Sequence, residues 1–229
     1  MSSWWVMTFW EEQPMLLVSW MFWVVFSICL HELGHGWAAI RAGDRTPIET
    51  GHMTWNPLVH MGTASLVVFG LVGIAWGAMP VNPRRFRGRY DEAVVSAAGP
   101  GMNVGLFFAC LALLVAWVAA AGGYWWQSVV APERLFDNVQ TFLRVGAVLN
   151  MLLLTLNLIP IPPLDGSRIL ASFWPGYGRL WRHEGAPILA MVLLVGLLLF
   201  SGGALFPGAI ELTGQIEDAL LRLIAPGAL

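Results

Sequence analysis

The chain has 229 residues, of which 57% are hydrophobic and only 11% charged, with a formal net charge of −2. Soluble domains are less apolar and about a quarter charged, so this composition predicts an integral membrane protein. No basic face is available for nucleic acid. Cys29 and Cys110 both lie in apolar runs, which excludes a disulfide scaffold.

The opening stretch, MSSWWVMTFWEEQP, lacks the basic region and cleavage site of a secretory leader. Trp4, Trp5 and Trp10 read as an aromatic belt at a bilayer surface. A first spanning helix is expected over Met15 to Arg41, introduced by Pro14 and long enough to cross a ~30 Å hydrocarbon core. The polar, turn-rich residues 46–62 are expected to be a small irregular or β stretch. A short apolar segment, Thr63 to Met79, follows and is interrupted by Gly70, Gly73 and Gly77. Next comes a basic loop, Pro80 to Tyr90, whose Arg84, Arg85, Arg87 and Arg89 suit anionic headgroups. A second span is expected over Asp91 to Ala121. A loop carrying Tyr124, Trp125 and Trp126 separates it from a third span, Asn138 to Ile159. A polar loop leads to a fourth span, Ala186 to Leu205. The amphipathic tail, Ala209 to Leu223, is expected to lie in the interface. No repeat or soluble appendage is visible. Residues 1–229 therefore read as one all-α polytopic membrane domain of about four full spans.

His31-Glu32-Leu33-Gly34-His35 continues the apolar run MLLVSWMFWVVFSICL without a break. On a helix, two histidines four residues apart share a face and can bind one zinc ion. The intervening glutamate then lies where a general base for water belongs. Polar groups inside a bilayer-length helix are expensive, which argues for function. Cys29 falls nearly opposite His31 and reads as packing.

A catalytic zinc needs a third protein ligand. Ala38 and Arg41 occupy the positions where an extended histidine motif would supply one. Glu49 offers a carboxylate but lies beyond the helix. Asp165 is the better candidate, in NLIPIPPLDG at Asn157 to Gly166, where three prolines break a spanning helix just before the acid. Irregular backbone at such depth is tolerated where it lines a cavity or binds an ion. Asp165 alone would read as a turn residue before Gly166. His52 and His60 are further possible ligands or gates, although local backbone satisfies most such histidines. Asn103 and Asn150 read as bridges between helices. Gly99, Pro100 and Gly101 read as sites of close helix approach.

HELGH, AAGPGMN at Ala97 to Asn103 and NLIPIPPLDG together resemble the site-2 proteases, a family of intramembrane zinc metalloproteases. NPLVHMGT at Asn56 to Thr63 is similar to its compact branch, without PDZ or CBS domains. Met79 departs from the lysine expected there. The resemblance covers roughly residues 15 to 205. It implies one zinc on His31, His35 and Asp165, with Glu32 as base. It also implies that Asn157 assists the substrate carbonyl or orients the site. The implied substrate is a transmembrane segment of another membrane protein, cleaved within or near the bilayer. A membrane zinc carrier is the competing reading, but a carrier needs ligands along a path, and here the polar residues gather at one depth.

One ion also constrains topology. His31 and His35 lie roughly 24 and 30 Å along their helix, near its far end. Asp165 follows the far end of the third expected span, so these two helices must finish on the same side. The crossings between them must be odd in number, which requires 63–79 to be re-entrant or surface-lying. Arg41, Arg45, Arg84, Arg85, Arg87, Arg89, Arg168, Arg179 and Arg182 then share the ligand side. The positive-inside rule makes that side cytoplasmic, in a prokaryotic plasma membrane.

Overall fold

The computed structural model describes residues 5–122, 133–181 and 183–224, and all regular structure among them is helical. In chain order the helices are α1 (Trp5–Glu12), α2 (Pro14–Ala42), α3 (Thr46–Glu49), α4 (Pro57–Val72) and α5 (Asp91–Gly122). They continue as α6 (Glu133–Asn157), α7 (Asp165–Phe173), α8 (Pro175–Leu180) and α9 (Ala186–Ile224). Pro14–Ala42, Asp91–Ala120 and Arg134–Asn157, in α2, α5 and α6, are long and apolar enough to cross a membrane. Trp4 and the expected belt at Tyr124 to Trp126 lie outside the described residues, whereas Trp10 is exposed on α1.

The stop signal of α2 sets the position of everything downstream. Gly43 takes a φ of 105°, a backbone conformation that costs glycine little. Its N–H bonds Ile40 O at 3.1 Å, and the Asp44 N–H bonds Ala39 O at 2.9 Å. This double closure satisfies carbonyls that the helix end would otherwise orphan. Where α2 crosses α5, Gly34 brings the two backbones almost into contact. A Cβ there would stand 2.6 Å from Met102 Cγ and 2.8 Å from Ala98 O. On the other side of α2, Trp23 packs over Gly146 of α6 and donates its indole N–H to Phe142 O at 2.8 Å. Phe107, Cys110, Leu111, Ala147 and Leu149 complete the core among the three long helices.

The segment after α3 doubles back. Asn56 caps α4 by accepting from Leu58 N at 3.0 Å. Gly62, with φ 67° and ψ 167°, breaks the helix, and Gly73 ends it with φ 79°. The returning chain is fixed to α4 by Ser65, whose hydroxyl accepts from Trp76 N at 2.9 Å and donates to Trp76 O at 2.7 Å. Ala78 N then reaches His60 O at 2.9 Å. Residues 63–79 therefore return to the end of the bundle where they began. This hairpin leaves α5 as the long return helix between α2 and α6.

One expectation needs correction, and two more meet the structure at α9. The 46–62 stretch is irregular in part but holds no strand. Pro47 and Pro57 remove ladder donors and each starts a helix, and Gly51 turns the chain at φ 72°. The expected fourth span lies within the 39-residue α9, whose described apolar run includes Ala186–Leu197. The tail continues the same helix and turns one face to the bundle. Ala209, Thr213, Glu217 and Leu221 recur every fourth residue and are buried. Arg144 of α6 grips the Glu217 carboxylate through Nε at 3.0 Å and Nη2 at 2.5 Å. Such a bidentate pair ties α9 to the bundle.

Asp44 pins the 80–90 loop to the end of α2. Its fully buried carboxylate accepts from Asn82 N at 2.6 Å, Thr46 N at 2.9 Å and Thr46 Oγ1 at 2.5 Å. Burial opposes the charge, but these donors and the nearby Arg85 hold the carboxyl below the ordinary carboxylate range. Its contribution to stability is therefore full above about pH 3.9 and is lost only as pH falls through the lowered value. Asp44→Ala leaves the part-buried N–H groups of Thr46 and Asn82 without an acceptor, and stability is expected to fall by about 1–3 kcal/mol. Denaturation of the detergent-purified protein, together with limited proteolysis in the 80–90 loop, checks this.

Candidate metal centre

His31 and His35 stand on the face of α2 that α5 crosses, and both are buried. His35 Nδ1 lies 2.7 Å from the Val95 carbonyl oxygen. A carbonyl only accepts, so this nitrogen carries the proton and Nε2 presents a lone pair. His31 Nδ1 lies 2.7 Å from Asn103 Oδ1. The two Nε2 atoms face each other at 3.0 Å. Asp165 Oδ2 completes the group, 3.1 Å from His31 Nε2 and 3.3 Å from His35 Nε2.

These separations suit a metal ion. Bonds of about 2.0–2.1 Å at tetrahedral angles hold ligand atoms roughly 3.3 Å apart. Asp165 Oδ2 is buried and has no hydrogen-bond donor. Three acceptors turned toward one point, without protons between them, need a cation to be stable. Among the described residues, His31, His35 and Asp165 form the one such cluster.

The acid arrives by a forced break. Pro160, Pro162 and Pro163 prevent α6 from continuing, and α7 starts at Asp165 itself. Gly166 lets that first turn settle on the end of α6. A Cβ there would collide with Leu158 O and stand 2.7 Å from Ile159 O. Gly99 of α5 gives comparable clearance over the histidines. Its Cβ would collide with His35 Nε2 and lie 2.6 Å from His31 Nε2, in the space where an ion belongs.

Glu32 is buried beside the cluster but is not part of it. Its charge interacts with His31, His35, Asp165 and His60. The returning limb of the α4 hairpin covers it, so that a Cβ on Gly77 would stand 2.7 Å from Glu32 Oε1. The other candidates fall elsewhere. Glu49 pairs with Arg85 at 2.7 Å, which removes it as a third ligand. The His52 ring bonds Thr50 at 3.0 Å. Buried His60 reaches Thr54 O at 2.6 Å through Nε2 and lies outside the cluster. Asn157 ends α6 and donates to Leu153 O at 3.0 Å, within its own helix. The roles of Val95 and Asn103 toward the imidazoles are not evident from sequence alone. The available signal was the one-turn spacing of Gly99 and Asn103, which matches that of His31 and His35.

A model of peptidase family M50 matches residues 19–200. The chain belongs to this family, the site-2 proteases. It is similar to a Bacillus subtilis protein named "Putative zinc metalloprotease YwhC", 34% identical over 66% of this chain and 67% of that protein. A Mycobacterium tuberculosis protein named "Putative zinc metalloprotease Rip2" is 30% identical over 90% of this chain and 76% of the relative. No solved structure matches significantly. This M50 member is thus a membrane zinc metalloprotease. Within it, Gly99→Ala pushes a methyl group into the imidazole pair. Bound zinc in the folded, detergent-purified variant is expected to fall well below the wild-type level, as read by metal analysis. An unchanged zinc content would mean that α5 yields at this crossing.

Proposed function

We propose that this protease hydrolyses peptide bonds within or beside the transmembrane helices of other membrane proteins, in regulated intramembrane proteolysis. His31, His35 and Asp165 hold the zinc, and Glu32 is the general base. The observation that carries this reading is the meeting of two Nε2 lone pairs and one carboxylate oxygen beside a second, uncommitted carboxylate. When bound, zinc supplies Lewis acidity, acidifying water and polarising the scissile carbonyl.

The chain's own residues supply the rest. Val95 O and Asn103 Oδ1 hold both imidazoles with Nε2 inward. Glu32 makes no hydrogen bond to protein among the described residues, so both its oxygens are free to take a proton from water and return it to the leaving amine. The limb at Gly77 limits the space above Glu32. Asn157 is a weaker participant. To orient a substrate carbonyl, its amide must first give up Leu153 O.

Removing the base should separate binding from chemistry. Glu32→Gln is expected to keep zinc and lose about 10²–10⁴-fold in cleavage of a model transmembrane substrate. His31→Ala and Asp165→Ala are expected to lose zinc itself. Full activity in Glu32→Gln would remove the base assignment. The ligand side should be cytoplasmic. The α4 hairpin returns to its starting end, so single cysteines in the 50–55 turn and the 84–89 loop are expected to label from that same side in cells. Labelling from opposite sides would contradict the hairpin, and joint labelling from outside would reverse the orientation.

A further inference from the structure

A chain of hydrogen bonds leads from His31 to a backbone carbonyl on α6. Asn103 donates through Nδ2 to Asn150 Oδ1 at 2.9 Å. Asn150 donates through its own Nδ2 to Gly146 O at 2.9 Å and to Ser27 Oγ at 3.0 Å. Asn103, Asn150 and Ser27 are all fully buried.

The direction of this chain is fixed at its far end. Gly146 O can only accept, so the Asn150 amide nitrogen must face it. The Asn150 oxygen is thereby turned toward α5. The Asn103 nitrogen must meet that oxygen, which turns Asn103 Oδ1 to His31. An acceptor at His31 Nδ1 demands a proton there and leaves Nε2 with its lone pair. If Asn103 were free to rotate its amide, it could offer an N–H to Nδ1 instead. The imidazole would then carry its proton on Nε2, aimed at the point where the ion belongs.

We infer that Asn103 and Asn150 are positioning residues that lock His31 in its metal-binding tautomer, with Asn150 acting two hydrogen bonds away from the ring. The inference rests on His31 being a zinc ligand. It goes beyond helix bridging because it makes metal affinity depend on a side chain that touches no ligand. Outer partners of metal-bound histidines act in this way, by fixing tautomer and ring orientation.

The test is zinc affinity of the purified full-length protein in detergent, measured by competition with a chromophoric chelator. Asn150→Leu and Asn103→Leu are each expected to weaken zinc binding by about 10–100-fold. Asn103→Asp presents only acceptors to His31, although its second oxygen then faces Asn150 Oδ1, and is expected to bind zinc well above Asn103→Leu. With that substitution in place no wrong rotation exists, so adding Asn150→Leu is expected to cost no further affinity. A role in packing alone predicts the reverse, with defects that persist or add in the double variant. Wild-type affinity in Asn150→Leu, or an additive loss in the double variant, would overturn the inference. Should Asn150→Leu fail to fold, Asn103→Leu against Asn103→Asp decides it, and equal affinities overturn it. His31→Ala serves as the control for the underlying reading. If it binds zinc normally, the ligand assignment itself falls, and the inference with it. If it loses zinc while Asn150→Leu does not, the inference alone falls.

Discussion

Two imidazole lone pairs and a carboxylate oxygen, all within 4.8 Å of one another in buried surroundings, cannot rest together without positive charge between them. The remaining architecture is arranged to make them meet. α2 delivers the imidazoles on one face, and the proline-broken end of α6 delivers the acid. α5 passes so close to both that only a glycine at position 99 leaves room. Each ring is held from behind by an acceptor on α5, the Val95 carbonyl or the Asn103 side chain. The three long helices are thus joined by one polar centre as well as by their apolar contacts.

Around this centre the two kinds of carboxylate are kept apart. Asp165 is turned into the cluster and its Oδ2 meets both rings. Glu32 neighbours the same rings in sequence but lies against the limb of the hairpin. One acid thereby joins the imidazoles, and the other stays outside the cluster. An i, i+4 histidine pair with an intervening glutamate produces this division without further instruction, because helical geometry puts the middle residue on an adjacent face.

The metal cluster was legible in the sequence because its signals are local. A histidine pair at helical spacing and an acid after a proline break need no knowledge of tertiary packing. The doubling back of 63–79 was also legible, since a shared ion forces the number of crossings. What stayed hidden depends on partners distant in the chain. Nothing near Asn103 announces that its oxygen faces His31, 72 residues away. The β expectation for 46–62 failed because Asp44, Asn56 and two prolines commit the backbone to caps and turns. The amphipathic pattern of the tail likewise did not name the partner of Glu217, which is Arg144 of α6.

The glycine contacts at positions 34 and 99 join α2 and α5 into one frame. α2 and α5 meet backbone to backbone there, and neither can slide without driving atoms into the histidines. The segment over Glu32 is held in a different way. The limb over Glu32 is tied to α4 by the Ser65 hydroxyl and the His60 carbonyl, its exit is tied to Asp44, and Met61 and Phe69 root the hairpin in the core. None of these bonds involves His31, His35 or Asp165, so the hairpin and the ligand cluster are held by separate sets of contacts.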